Sequence, residues 1–134
     1  MPLENALAPF SSQLLSILRI MTALLFMEHG TSKLLDFPHV DMPIVITVGS
    51  LPWIAGVLEV VGGAFLTVGL FSRPVAFILS GEMAVAYFLA HAPQSFFPIV
   101  NRGEGAILYC FIFLYFAAAG AGSWSLDAML RKRG

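Results

Sequence analysis

Charge is what this chain mostly lacks. Only 11% of its 134 residues are Asp, Glu, Lys or Arg, while 58% are hydrophobic; soluble domains carry roughly 25% charged residues. The net charge is −1, so no basic stripe is available to neutralise phosphates, and a nucleic-acid partner is excluded. Cysteine is almost absent too. Cys110 stands alone, which rules out an internal disulfide and any CxxC motif, and with them dithiol redox chemistry carried by this chain alone. Its expected role is that of a small core residue. There is no histidine pair suited to haem, no glycine-rich nucleotide loop and no cysteine cluster. No repeat or low-complexity linker appears, so residues 1–134 read as one domain. The first residues, Met1-Pro2-Leu3-Glu4, carry no positive n-region, so the first apolar run is expected to be a retained anchor rather than a cleaved signal.

What the chain does have is apolar length. A bilayer core takes about 20 apolar residues per helix, and four such runs account for most of the sequence. The expected fold is all-α, a four-transmembrane-helix bundle with helices at about 13–35, 51–71, 74–91 and 104–121. Ser11 and Ser12 are candidate caps for the first helix, and Pro74 fits the first turn of the third. Within the loop at about 36–50, the apolar residues 44–48 are too few to span and suit an interfacial or re-entrant segment. The loop at 92–103, with Phe96, Phe97 and Arg102, suits headgroup depth. Trp53, Trp124, Tyr109, Phe96 and Phe97 read as interface anchors and packing, and His39 and His91 as loop residues.

Three of these runs hold isolated charges. Residues 51–71 contain only Glu59, residues 74–90 only Glu82, and residues 14–35 contain Arg19, Glu28, His29 and Lys33. A charge in hydrocarbon costs several kcal/mol unless it is paired, protonated or facing a wet cavity. Such residues are expected to point inward and mark the polar interior, apart from Glu28, which nine residues from Arg19 falls on the opposite side of its helix. Helical spacing puts Arg19, Thr22, Phe26, His29 and Lys33 on one stripe, and Gly56, Glu59, Gly63 and Thr67 on another. Small residues let helices approach closely, so Glu59 sits on a packing seam. Depths counted from the helix ends pair Arg19 with Glu82 as a buried ion pair that fixes helix register. They also pair Lys33 or Arg102 with Glu104 near the opposite boundary, leaving Glu59 beside His29 with no cation at its own level. Convergent polar groups in an apolar setting are the usual signature of a binding site. The candidate is a pocket between helices one, two and four, lined by His29, Glu59, Glu104 and Tyr115. Lys33 and Arg102 stand at its mouth, and the Phe96–Phe97 loop covers it. Glu28-His29 lacks the Glu-x-x-His spacing of bundle metal sites, so no metal is assigned.

The order and spacing of several short patterns resemble one family. They are Arg19-Ile20 with Phe26, His29-Gly30-x-x-Lys33-Leu34, Gly56-x-x-Glu59-x-x-Gly62-Gly63, Gly69-Leu70-x-x-Arg73 and Glu82-Met83-x-x-Ala86. Asn101-x-Gly103-Glu104 and Gly120-x-Gly122-x-x-Ser125-x-Asp127 complete the set. Over roughly residues 13–128 the chain resembles the DoxX family of small four-helix membrane proteins. The family is named from a subunit linked to thiosulfate oxidation that feeds quinone, and other members are associated with redox-stress complexes. The resemblance implies a multi-pass protein of the bacterial plasma (inner) membrane. It also implies a membrane subunit of a redox-linked complex that handles quinone or protons and is not catalytic alone. Quinone is the candidate cofactor, with none bound intrinsically; membrane lipid, redox proteins or further copies of the chain are the candidate partners. A small-solute or ion carrier and a non-catalytic scaffold or assembly factor are the competing readings.

Orientation follows from lysine and arginine. With four spans both termini share a side, which collects Arg19, Arg73, Arg131, Lys132 and Arg133, leaving Lys33 and Arg102 for the other. Five against two places both termini in the cytoplasm. Labelling of single introduced cysteines checks this: a position near Ser72 is expected to be closed to an impermeant reagent from outside, and one near Asn101 open to it.

Overall fold

The computed structural model describes residues 2–134, and among them every regular element is helical. Four long helices form the bundle: α1 (Ser11–Leu35), α2 (Leu51–Val68), α3 (Ser72–Ala86, continued by a π-helical turn over Tyr87–His91) and α4 (Glu104–Ala119). A short α5 (Leu126–Arg131) follows. α1 packs on α2 and α3 on α4, and the α2–α3 contact joins the two hairpins. The start of α1, the α2–α3 turn and α5 lie together at what we term the terminal end. The segments 36–50 and 92–103 form the loop end.

The helical stretches Pro2–Leu35, Leu51–Val68 and Ser72–Gln94 are long and apolar enough to cross a membrane. α4 is equally apolar but has 16 residues, a rise of about 24 Å. It stops two residues before the expected boundary because Gly120 and Gly122, at φ 87° and 82°, turn the chain across the terminal end. α1 begins earlier than the expected residue 13. The helix Pro2–Leu7 and a 3₁₀ turn at Ala8–Phe10 lead directly into it, so neither Ser11 nor Ser12 caps it. Ser50 does cap α2, its hydroxyl accepting from Trp53 N at 3.3 Å. Residues 36–50 form no helix, and Val45 and Val48 are exposed. In that segment His39 bonds Asp36 at 2.8 Å and Asp41 at 3.3 Å, and the hydrogen bond to Asp36 holds its pKa above the ordinary imidazole value.

Aromatic packing ties the hairpins together. Phe26 of α1 meets Phe113 of α4 edge-on at 4.8 Å and Tyr109 at 5.2 Å. Leu66, Ala76, Leu79, Met83 and Phe116 complete the buried core, and Cys110 packs at its edge. The glycine seam on α2 is as the spacing predicts. A Cβ at Gly63 would lie 2.2 Å from Met27 Cγ, and one at Gly30 would lie 2.7 Å from Gly56 O. Side chains larger than hydrogen would push α1 and α2 apart.

Arg19 is fully buried, yet it does not pair with Glu82. Its Nε donates to Leu66 O at 2.8 Å, Nη2 to Trp124 O at 2.9 Å and Thr67 O at 3.5 Å, and Nη1 to Ala121 O. The physical reason is direction. Helical side chains lean toward their own N-terminus, so Arg19 leans toward the terminal end and away from the middle of the bundle. There it meets the last carbonyls of α2, which lie beyond the regular helical ladder and carry the negative end of the helix dipole; Leu66 O also takes Gly69 N at 3.2 Å. Gly69, at φ 71°, leaves room for the guanidinium: a Cβ there would sit 3.0 Å from Arg19 Cζ and 2.5 Å from Ser125 Cβ. Arg73 repeats the device on α4, donating to Ala117 O and Ala118 O. At the opposite pole of a helix, Asp127 of α5 accepts from Phe71 N at 2.8 Å and Ser72 N at 2.9 Å, capping α3.

Because Arg19 and Glu82 are not partners, their energetic effects should add. Arg19→Leu removes the guanidinium from four buried or part-buried carbonyls, leaving those of Thr67 and Trp124 without it, and is expected to cost several kcal/mol. In a thermal-unfolding cycle in detergent, the Arg19→Leu/Glu82→Leu double change should equal the sum of the singles within about 0.5 kcal/mol. A coupling well beyond that would restore the ion pair.

Candidate functional site

The loop end holds a cavity of about 290 Å³ enclosed by all four long helices. Its polar lining comprises His29 and Lys33 from α1, Glu59 from α2, His91 from the π-helical turn, and Arg102 and Tyr109 from the α4 side. Phe26, Met83 and several alanines supply apolar walls. Glu59 is 2% exposed, and its Oε1 accepts from Lys33 Nζ at 2.6 Å. Its other oxygen, Oε2, is buried without a hydrogen-bond partner. Both oxygens of Glu82 are likewise buried and unpartnered. Buried charges are normally paired and hydrogen-bonded, so these three oxygens represent acceptor capacity that the described residues leave unused.

The Lys33–Glu59 contact follows from helix direction. Lys33 lies near the C-terminal end of α1 and leans back into the bundle, while Glu59, on antiparallel α2, leans toward the loop end. The flexible four-carbon stem of lysine covers the remaining difference in depth. His29 stacks edge-on against Tyr109 at 5.9 Å, and Tyr109 stacks on Phe113 at 5.8 Å, so an aromatic row runs from the core to the cavity. The loop wall is pinned by Asn101, which is fully buried. Its side-chain amide donates to Ser95 O at 2.9 Å and Tyr87 Oη at 3.2 Å, and its Oδ1 accepts from Gly103 N at 2.7 Å. His91 Nδ1 bonds Asn101 O at 2.9 Å. The π-helical turn brings His91 to this loop, and such turns recur at functional sites.

The DoxX family model matches residues 14–92, which takes in α1, α2 and α3 and with them Lys33, Glu59 and Glu82. The chain belongs to the DoxX family. It is 44% identical over 138 residues to an uncharacterized protein of Haemophilus influenzae, a match that covers 96% of this chain and 99% of that one. No solved structure matches it. Family and apolar helices together make this a membrane protein.

Within this DoxX protein, four of the six expected pocket residues come together: His29, Lys33, Glu59 and Arg102. Glu104 and Tyr115 do not. Glu104 starts α4 and is exposed. Tyr115 lies too far down α4 and lines a groove at the terminal end, so Tyr109, six residues nearer the loop end, takes its place. The pairing of Lys33 or Arg102 with Glu104 gives way to Lys33 with Glu59, which does have a cation within reach. Phe96 and Phe97 are exposed and do not line the cavity. His91 does line it, although the sequence reads as a loop residue there.

Breaking one half of a buried ion pair leaves an uncompensated charge, at a cost of about 3–5 kcal/mol. Lys33→Met is therefore expected to lower stability by about that amount in thermal unfolding, and Lys33→Met/Glu59→Leu to recover much of it. A double variant no more stable than Lys33→Met would sink the pairing.

Proposed function

We propose that this DoxX-family protein is the membrane subunit of a redox-linked assembly, with the loop-end cavity receiving a quinone head group. We also place it in a bacterial inner membrane with both termini cytoplasmic, on the five-to-two excess of basic residues at the terminal end. The observation that carries the reading is the Glu59 Oε2 without a hydrogen-bond partner beside the Lys33 ammonium, in a chamber that also holds His29, His91, Arg102 and Tyr109.

A quinone offers two carbonyl oxygens that need donors, and a quinol offers two hydroxyls that need acceptors. Lys33, the Tyr109 hydroxyl and the His29 ring supply donors, and Glu59 Oε2 supplies an acceptor. Phe26 and Tyr109, which line the cavity, give the ring a surface to lie against. About 290 Å³ is at the small end of ligand pockets, which suits a single substituted ring with its tail in the lipid. Reduction of a quinone to a quinol takes two electrons and two protons. A partner protein supplies the electrons, and this chain's part is to bind the ring and move protons through Glu59 and His29.

Titration of a short-chain quinone into the purified protein, followed by quenching of intrinsic fluorescence, tests this. Glu59→Gln and Tyr109→Phe are each expected to weaken binding about tenfold, equivalent to about 1.4 kcal/mol, with helical content unchanged. Binding no tighter than that of an isoprenoid alcohol without the ring, or binding unaffected by both variants, would overturn the assignment.

A further inference from the structure

The terminal end carries a second concavity, a groove of about 610 Å³ between the start of α1, the end of α4 and α5. Its lining is chemically one-sided. Arg131 and Lys132 bring two cations, and Ser11, Ser12, Ser123 and Tyr115 bring hydroxyls. No carboxylate lines it. The nearest acidic group on α5, Asp127, is committed to the backbone of Phe71 and Ser72.

Two positive charges with four hydroxyls and no negative charge describe an anion site. Charge-assisted hydrogen bonds from arginine and hydroxyl groups are the usual grip on phosphate oxygens. The setting narrows the anion further. The groove lies where apolar helices end, with Tyr115 one turn inside the end of α4 and exposed Trp124 nearby, the aromatic arrangement of a membrane–water boundary. One wall, formed by Leu15 and Ala119, continues along the lipid-facing helices. We propose that this groove binds the phosphate of an anionic phospholipid, with the glycerol and acyl chains lying along that wall.

Titration of a short-chain phosphatidylglycerol into the full chain in neutral detergent, read as a rise in Tm, tests the assignment beside two controls. Phosphatidylcholine, whose phosphate is compensated by choline, and inorganic phosphate should each leave Tm unmoved. Arg131→Gln/Lys132→Gln is expected to weaken phosphatidylglycerol binding roughly 30-fold, each charge near the surface contributing about 1 kcal/mol. Arg133→Gln, one residue beyond the groove, should weaken it less than either Arg131→Gln or Lys132→Gln alone. An equal rise with phosphatidylcholine, an equal rise with inorganic phosphate, no rise at all, or equal losses at residues 131, 132 and 133 would each overturn the site. Should the double variant fail to fold, Ser123→Leu carries the test by filling the groove without changing charge. Unchanged phosphatidylglycerol affinity in that variant would overturn the proposal as well.

Discussion

A guanidinium that reaches no carboxylate organises one end of this molecule. Arg19 is fully buried and spends its donors on the carbonyls of Leu66, Thr67, Ala121 and Trp124. Arginine cannot shed its proton, so at this depth it must find acceptors. The acceptors it finds belong to the end of α2 and to the irregular chain after α4. Leu66 O also takes Gly69 N and Ala121 O the Ser16 hydroxyl, each at 3.2 Å, and the one guanidinium adds donors to backbone from two separated segments. The connection constrains everything near it. Gly69 must be small to admit the guanidinium. The chain must also turn at Gly120 and Gly122 for Ala121 to face inward; a Cβ at Gly122 would lie 2.3 Å from Ser16 Oγ. α5 is then held where Asp127 can cap α3.

The loop end is built on the opposite principle. There the charges meet each other rather than the backbone, and they do not balance. Lys33 serves one oxygen of Glu59, and one Glu59 oxygen and both Glu82 oxygens remain without donors. A bundle evolved only for stability would gain by replacing such groups with apolar side chains of similar volume. The presence of Glu59 in a cavity beside histidine and tyrosine is the physical ground for seeking the activity here rather than at the terminal end.

The four long helices, the glycine seam on α2 and, except for the exposed His29, the inward stripe on α1 were legible in the sequence, because each rests on a short-range period. Four cavity residues followed from the same periodicity. The partners of the buried charges did not, and the reason is specific. Depth counted along Cα positions treats a side chain as a point, whereas Arg19 and Lys33 each extend several ångströms toward the N-terminus of α1. That lean carries Arg19 away from Glu82 and brings Lys33 to Glu59. It was available as a rule from the antiparallel order of the helices alone. The roles of His91 and Asn101 were less accessible. Both depend on a π-helical turn and on a loop folded around a buried amide, features that leave no periodic trace.

The contrast between the two ends also bears on how the bundle can respond to a ligand. Arg19, Arg73 and Asp127 are tied to the backbone of helix termini, so displacing any of them means unmaking helix ends, and the terminal end is expected to behave as a rigid base. At the loop end the cavity's ion pair, Lys33 with Glu59, joins two side chains, and Lys33 remains 23% exposed. A lysine with three donors and a flexible stem can turn from Glu59 toward an incoming carbonyl without moving a helix. Binding there therefore requires rearrangement of a few side chains rather than domain motion. Four helices on a base pinned to helix-end backbone can supply that.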